Sequence, residues 1–471
     1  MLPQLRELQR SFPNELVVIG VHSAKFPAER VSANLRAAAR RLNIDHPVIN
    51  DAEMAVWQSY AVRAWPTLMF VDPQGKVWGK HEGEFPLDPI RDLLRDAVTS
   101  YDAAGLIDRT PLPAAIFAEP PTFLRFPENV LADESGGRHF IADTGHHRIV
   151  VTSLDGRILS TIGSGIAGWT DGPATDARFD RPQGMALAPD RVTLYIADAG
   201  SHTIRAVDLS TTSVAGSSEP GPPESGRMGD GMTVRTVAGT GELGHDRQGG
   251  PPLETGIASP WDLSFRDGVL WIAMAGTHQL WTYDPATGEF RAAAGTGVES
   301  IHDGLLAEAT FAQPYGITEL DGVLYVADSE TSAIRSVNPA ENRVRRLLGR
   351  GLFDFGDRDG TGDEARMQHT QAVCATTEDG RPIVYIVDGY NGKIKRLDVF
   401  SRSVTTLAGA GSDDEPRLVD GPFDAARFWE PGGIAIAGRT LYVADTNNHA
   451  IRALDLESQR VTTLPIGGSP A

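Results

Sequence analysis

One cysteine, Cys374, is the whole thiol content of a chain of 471 residues. With no second thiol, the chain cannot form an intramolecular disulfide, a two-cysteine redox centre or a multi-cysteine zinc site. Cys374 stands in the apolar run "AVCA", a strand-like setting for a small buried residue, and is read as structural. Long apolar runs are missing as well. Nothing approaches the roughly 20 residues of a transmembrane helix, and the N-terminus lacks the apolar stretch of a signal peptide, so the expected compartment is the cytoplasm. Basic charge is in deficit: 43 Lys and Arg against 62 Asp and Glu give a formal net charge of −19. That balance repels phosphate backbones and anionic lipid, so neither nucleic acid nor a membrane is an expected partner. Low-complexity runs are absent, and 41% hydrophobic residues are enough for a folded protein.

The chain is rich in turn formers, with 50 glycines and 31 prolines, which predicts many short strands. It also repeats itself. The segments "FIADTGHHRI", "YIADAGSHTI", "WIAMAGTHQL", "YVADSETSAI", "YIVDGYNGKI" and "YVADTNNHAI" are variants of one hairpin. Their acidic position falls at Asp143, Asp198, Asp328, Asp388 and Asp445, with Met274 in the third copy. An aliphatic residue always follows at the same offset, from Ile149 to Ile451, so a fixed turn joins two strands. Before most hairpins comes a Phe and then a proline segment, as in Phe179 with Pro182-Gln183-Gly184 and Phe311 with Pro314-Tyr315-Gly316; after them come outer-strand patterns such as "TVAGTG". The fifth copy, from Met367, has lost its proline. About four short strands per repeat make one propeller blade, and six repeats close a ring over residues 122–466.

On these motifs the sequence resembles the NHL repeats, whose signature is a P-x-G-I segment followed by Y-V-A-D-x-x-N-H-R-I. An insertion in the second copy, "SSEPGPPESGRMGDGM", is read as an exposed loop.

Several repeated residues suggest chemistry. Histidines follow the acidic position at His147, His202, His278 and His449, and peptide-amidating lyases, a propeller class resembling this fold, hold a catalytic zinc with such imidazoles. The same histidine belongs to the ordinary repeat, where a ring nitrogen can satisfy turn backbone groups; Ser332 and Gly392 replace it in two copies. No metal or other cofactor is therefore expected. Asp-Gly pairs at Asp171, Asp303, Asp359 and Asp420 are read as turns, not calcium loops, because they recur at a fixed distance before the repeat's Phe or Met. A basic residue at Arg205, Arg335, Lys395 or Arg452 is expected to pair with the repeat aspartate. No nucleophile elbow, phosphate loop or HExxH motif is present, so no catalytic residue is assigned.

Residues 1–105 read as α/β: a strand in "VVIGVH", a helix over 28–42, a strand near "HPVIN", a helix across "AEMAVWQSY", two strands in "AWPTLMFVDPQGKVWGKHEGE" and a last helix through "PLDPIRDLLRDAV". That order resembles a thioredoxin-like fold. Trp65-Pro66-Thr67 sits where that family keeps a cis-proline, which makes these residues a candidate polypeptide-binding edge. In the family a strand and a C-x-x-C motif precede a helix similar to "LPQLRELQRSF". This sequence opens inside that helix, so the resemblance implies a natural start further upstream. Residues 106–121, with four prolines, read as a semi-rigid linker, and 467–471 as a tail.

Together the two modules are similar to the NHL repeat-containing protein two family. The expected function is a non-enzymatic protein-interaction scaffold with a redox-silent thioredoxin-like module and an unidentified protein partner. The alternatives are a thiol-disulfide oxidoreductase whose C-x-x-C lies upstream and a metal-dependent propeller lyase.

Overall fold

The computed structural model describes residues 2–83, 85, 87–110, 121–210, 231–411 and 417–468. Most of the linker, the tail beyond residue 468 and nearly all of the insertion in the second repeat lie outside the described residues. The chain divides into two compact units, Met1–Pro120 and Pro121–Ala471.

In the first unit, helix α1 (Leu2–Ser11) and helix α4 (Leu87–Ala103) pack together because each carries an apolar stripe at helical spacing. Leu8 and Phe12 of the α1 segment meet Ile90 and Leu94 of α4 in one core, with Phe85 beside them. Strand β1 (Gly20–His22) pairs in parallel with β2 (Val48–Asn50), and β3 (Thr67–Val71) pairs antiparallel with β4 (Val77–Glu82). Helix α2 (Ser32–Arg41) and the short α3 (Ala55–Ser59) lie between these strands in sequence.

Two details differ from the sequence pattern. Val31, Leu35 and Ala38 have helical spacing, yet α2 buries Asn34, Ala37 and Ala39. The Asn34 amide donates to the Ala28 carbonyl, which ties the helix to the turn ahead of it. The apolar run 17–22 gives only three strand residues, and Val17 (54%) and Ile19 (55%) are exposed. Among the described residues β1 and β3 are each paired along one edge only.

The second unit is a six-bladed β-propeller. Its six sheets have four or five strands, each drawn from one continuous stretch of chain. The first blade consists of Asn129–Asp133, Arg138–Asp143, Arg148–Ser153 and Ile158–Ile162, paired antiparallel in order. The inner strands of the others are Pro182–Leu187, Pro260–Arg266, Pro314–Leu320, Thr370–Glu378 and Ile434–Ala437. Neighbouring inner strands touch in chain order, and the sixth touches the first.

Period-2 alternation sends side chains of one strand to two interfaces. In "HFIAD", Phe140 and Ala142 enter the core shared with the second blade, whereas Ile141 enters the core shared with the sixth. Each blade is thus apolar on both faces and stable only between neighbours. The Asp-Gly pairs are more than turns: their glycines open a two-residue fifth strand, as in Gly172–Pro173 and Gly421–Pro422, on the outer edge of four blades. No helix among the described residues is long and apolar enough to cross a membrane.

Candidate functional site

The repeated polar residues gather where each hairpin turns. In most blades the second strand ends on the repeat aspartate, the chain makes a three-residue 3-10 turn, and the next residue is left-handed before the third strand starts; the second blade has a plain turn, and Met274 replaces the aspartate in the third. Histidine fills that left-handed position at His147, His202, His278 and His449, with φ between 53° and 56°. It is one of the side chains that tolerate this region.

Each of these imidazoles reaches the next blade. Nδ1 of His147 accepts the backbone N–H of Arg181 at 3.2 Å, Nδ1 of His202 that of Ser259 at 3.1 Å, and Nδ1 of His278 that of Gln313 at 3.1 Å. Nδ1 of His449 accepts the N–H of Phe126 at 3.0 Å. Accepting at Nδ1 places the proton of the neutral ring on Nε2. In the fourth blade Ser332 Oγ does the same work, accepting from His369 N at 3.0 Å. Gly392 has no side chain to offer.

The residue so held is itself left-handed: Phe126, Arg181, Ser259, Gln313 and His369 all have positive φ, and the last four stand directly before their inner strands, Phe126 three residues before Asn129. The N–H one residue earlier goes to the repeat aspartate of its own blade. Asp143 Oδ1 accepts from Arg125 at 2.6 Å, Asp198 from Asp180 at 2.7 Å, Asp328 from Ala312 at 2.6 Å, Asp388 from Gln368 at 2.7 Å and Asp445 from Trp429 at 2.8 Å. Two consecutive amides are thus claimed, one by its own blade and one by the blade before. Together they fix a strained entry into the inner strand that would otherwise cost about 1–3 kcal/mol.

The other oxygen of the aspartate meets a buried cation. Arg205 lies 3.2 Å from Asp198, Arg335 3.4 Å from Asp328, Lys395 3.8 Å from Asp388 and Arg452 2.7 Å from Asp445. All four cations are fully buried and also hold the Asp of the Asp-Gly pair: Asp171, Asp303, Asp359 and Asp420 at 2.6–2.9 Å. The three guanidiniums lie over Phe179, Phe311 and Phe428, which explains why a phenylalanine recurs in the repeat. Burial pushes the carboxyls of Asp198, Asp328 and Asp388 upward against the pull of these cations. In the first blade Arg148 comes from a different position to bind Asp143 at 2.7 Å.

A second polar group closes the ring's centre. Glu128, Gln183, Trp261, Tyr315 and Gln371 occupy the same register, one residue into the inner-strand entry of five blades. Tyr315 donates its hydroxyl to Glu128 Oε2 at 3.2 Å, linking the fourth blade to the first, its opposite in the ring. The Trp261 ring lies 4.3 Å from that of Tyr315, tilted by 47°. Asp262, next to Trp261, accepts from Ile317 N at 2.9 Å and from the Asn129 amide at 3.3 Å. Burial raises its carboxyl to about 7. Glu128, Gln183, Trp261, Tyr315 and Gln371 carried no repeat signal, because they sit at the variable position of the P-x-G segment, and Asp262 replaces its glycine.

In the first unit the Trp65–Pro66 peptide bond is cis. The Trp65 indole N–H donates to the Ser23 carbonyl at 2.8 Å, its ring lies 4.4 Å from Trp57, and it remains 46% exposed. Thr67 Oγ1 donates to the Ala64 carbonyl at 2.7 Å, holding the turn that leads into β3. No group of three or more His, Cys, Asp or Glu side chains among the described residues could hold a metal ion.

An NHL repeat model matches residues 428–454, which span the sixth-blade hairpin. The chain is 38% identical over 502 aligned residues to NHL repeat-containing protein 2 of Gallus gallus, covering 99% of this chain and 66% of that protein. The Homo sapiens protein of the same name is 37% identical with the same coverage. The protein SUPPRESSOR OF QUENCHING 1, chloroplastic, of Arabidopsis thaliana is 38% identical, over 99% of this chain and 44% of its own length. With its repeat, its six blades and these relatives, the chain belongs to the NHL repeat-containing protein 2 family.

Proposed function

We propose that the protein is a protein-interaction platform. The observation that carries this reading is the engagement of the repeat's own polar residues. The four histidines accept amides from neighbouring blades, the aspartates and buried cations neutralise one another, and Glu128 with Tyr315 spans the ring. What is left to vary is the set of connectors and turns on a rigid ring, which suits recognition better than chemistry. An affinity pull-down with the full chain should return the same protein partner in independent repeats; none at all would overturn the reading.

We also propose that the first unit is a redox-silent thioredoxin-like module. The parallel pair β1–β2, the antiparallel pair β3–β4 and the cis Trp65–Pro66 bond ahead of β3 support it. In that reading Trp65, Pro66 and Thr67 form an edge for an extended polypeptide. The chain's one thiol is in the propeller, where burial pushes Cys374 up to about 12. Insulin reduction driven by dithiothreitol should therefore match the uncatalysed rate, and turnover above that of Cys374→Ser would refute the proposal.

A further inference from the structure

Connectors between blades leave their outer strands through a repeated Gly-x-Gly turn. Gly163 and Gly165, Gly239 and Gly241, Gly295 and Gly297, and Gly409 and Gly411 all hold positive φ. Two left-handed glycines lift the chain off the sheet, and apolar residues stand exposed beyond them: Ile166 (53%), Trp169, Leu243, Val298 (57%), Phe353 (72%) and Leu418. Because strands alternate in direction, all five connectors emerge at the end where the inner strands begin. They also meet one another. A β-carbon on Gly241 would fall 2.3 Å from the Trp169 ring, and one on Gly297 would fall 3.0 Å from Arg247. A lone exposed aliphatic residue is ordinary, but one or more on every connector of a single face makes a rim.

The rim is also acidic. Residues 163–182, 239–260, 295–314, 349–370, 409–411 and 417–431 hold seventeen Asp and Glu against eight Lys and Arg, an excess of nine negative charges. Asp171, Asp303, Asp359 and Asp420 are engaged by the buried cations, whereas Glu242, Asp246 and Glu299 are exposed beside Leu243 and Val298.

We propose that this rim docks a cationic amphipathic segment of a partner protein, with its apolar side chains on the rim residues and its lysines or arginines facing the connector carboxylates. The proposal rests on the platform reading above and adds the face and the partner's chemistry.

The test is fluorescence anisotropy of the full chain with three labelled probe peptides of equal length, built from Leu and Lys, Leu and Glu, or Ser and Lys. The Leu/Lys probe should bind tightest and weaken as salt rises from about 0.05 to about 0.3 M. The triple variant Ile166→Ser, Val298→Ser, Phe353→Ser should weaken it by about tenfold or more. Val192→Ser with Phe400→Ser, in turns at the opposite end, should leave it unchanged; all these positions are exposed, so folding is little affected. Equal binding of either other probe, or an unaffected rim variant, overturns the proposal. Photo-cross-linking in extract from both ends of the ring then separates the two readings: cross-links to a partner keep the platform reading without this rim, and their absence removes both.

Discussion

His449 Nδ1 accepts the backbone N–H of Phe126 at 3.0 Å, joining residues 323 positions apart and fastening the last blade to the first. Their rings also meet edge-on at 4.5 Å. His449→Ala leaves a partly buried amide without its acceptor, so stability should fall by about 1–3 kcal/mol. His449→Ser should recover part of this, because Ser332 fills the equivalent place in the fourth blade. Thermal unfolding of both variants measures it; equal loss in both would show that the ring's packing, not the accepted bond, matters.

Arg335 ties Asp328 and Asp303 to the carbonyls of Thr310 and His302. Arg335→Met removes the cation and leaves Asp328 buried, and should cost roughly 3–5 kcal/mol. Arg335→Lys should cost less, since Lys395 does this work in the fifth blade. Urea midpoints of the two variants give the order.

Asp262 is raised by burial from 3.8 to about 7, so the folded state binds its proton more tightly than the unfolded chain does. That contribution is fully present below pH 3.8 and is lost as pH rises towards 7. Asp262→Asn cannot ionise. Its stability relative to the parent should therefore climb between about pH 4 and pH 7, by up to ~1.4 kcal/mol per unit. A flat difference would show that the carboxylate is already ionised at the ring's centre.

His139 has the opposite sign. It is fully buried beside Tyr442, with ring centroids 4.1 Å apart, and burial lowers it from 6.5 to about 4. The unfolded chain binds the extra proton, so stability falls as pH drops from 6.5 towards 4. His139→Gln should remove that acid-side slope. Denaturant titrations across this range compare the two.

The blade count was legible because hairpin and proline segment recur at fixed offsets, which only a repeated unit produces. The histidine and the aspartate were legible as positions but not as bonds. A sequence period shows that Phe126 and His449 are each typical of their copies; it cannot show that one blade's histidine serves the next blade's strand entry. The fifth strands were hidden because two residues starting at the glycine of an Asp-Gly pair have no alternation to read. Glu128 and Tyr315 were invisible for the converse reason: they occupy the position that changes from copy to copy, and Asp262 stands where other copies keep a glycine.

Each sheet is made from one continuous stretch of chain, and the seam between the last blade and the first is held by a histidine bond and side-chain packing like those between other blades. Among the described residues no strand is lent across it, so this boundary is locked by contacts of the same kind as the others. A circular permutant opened at another blade boundary, with the present seam joined by a short linker, should fold to the same ring.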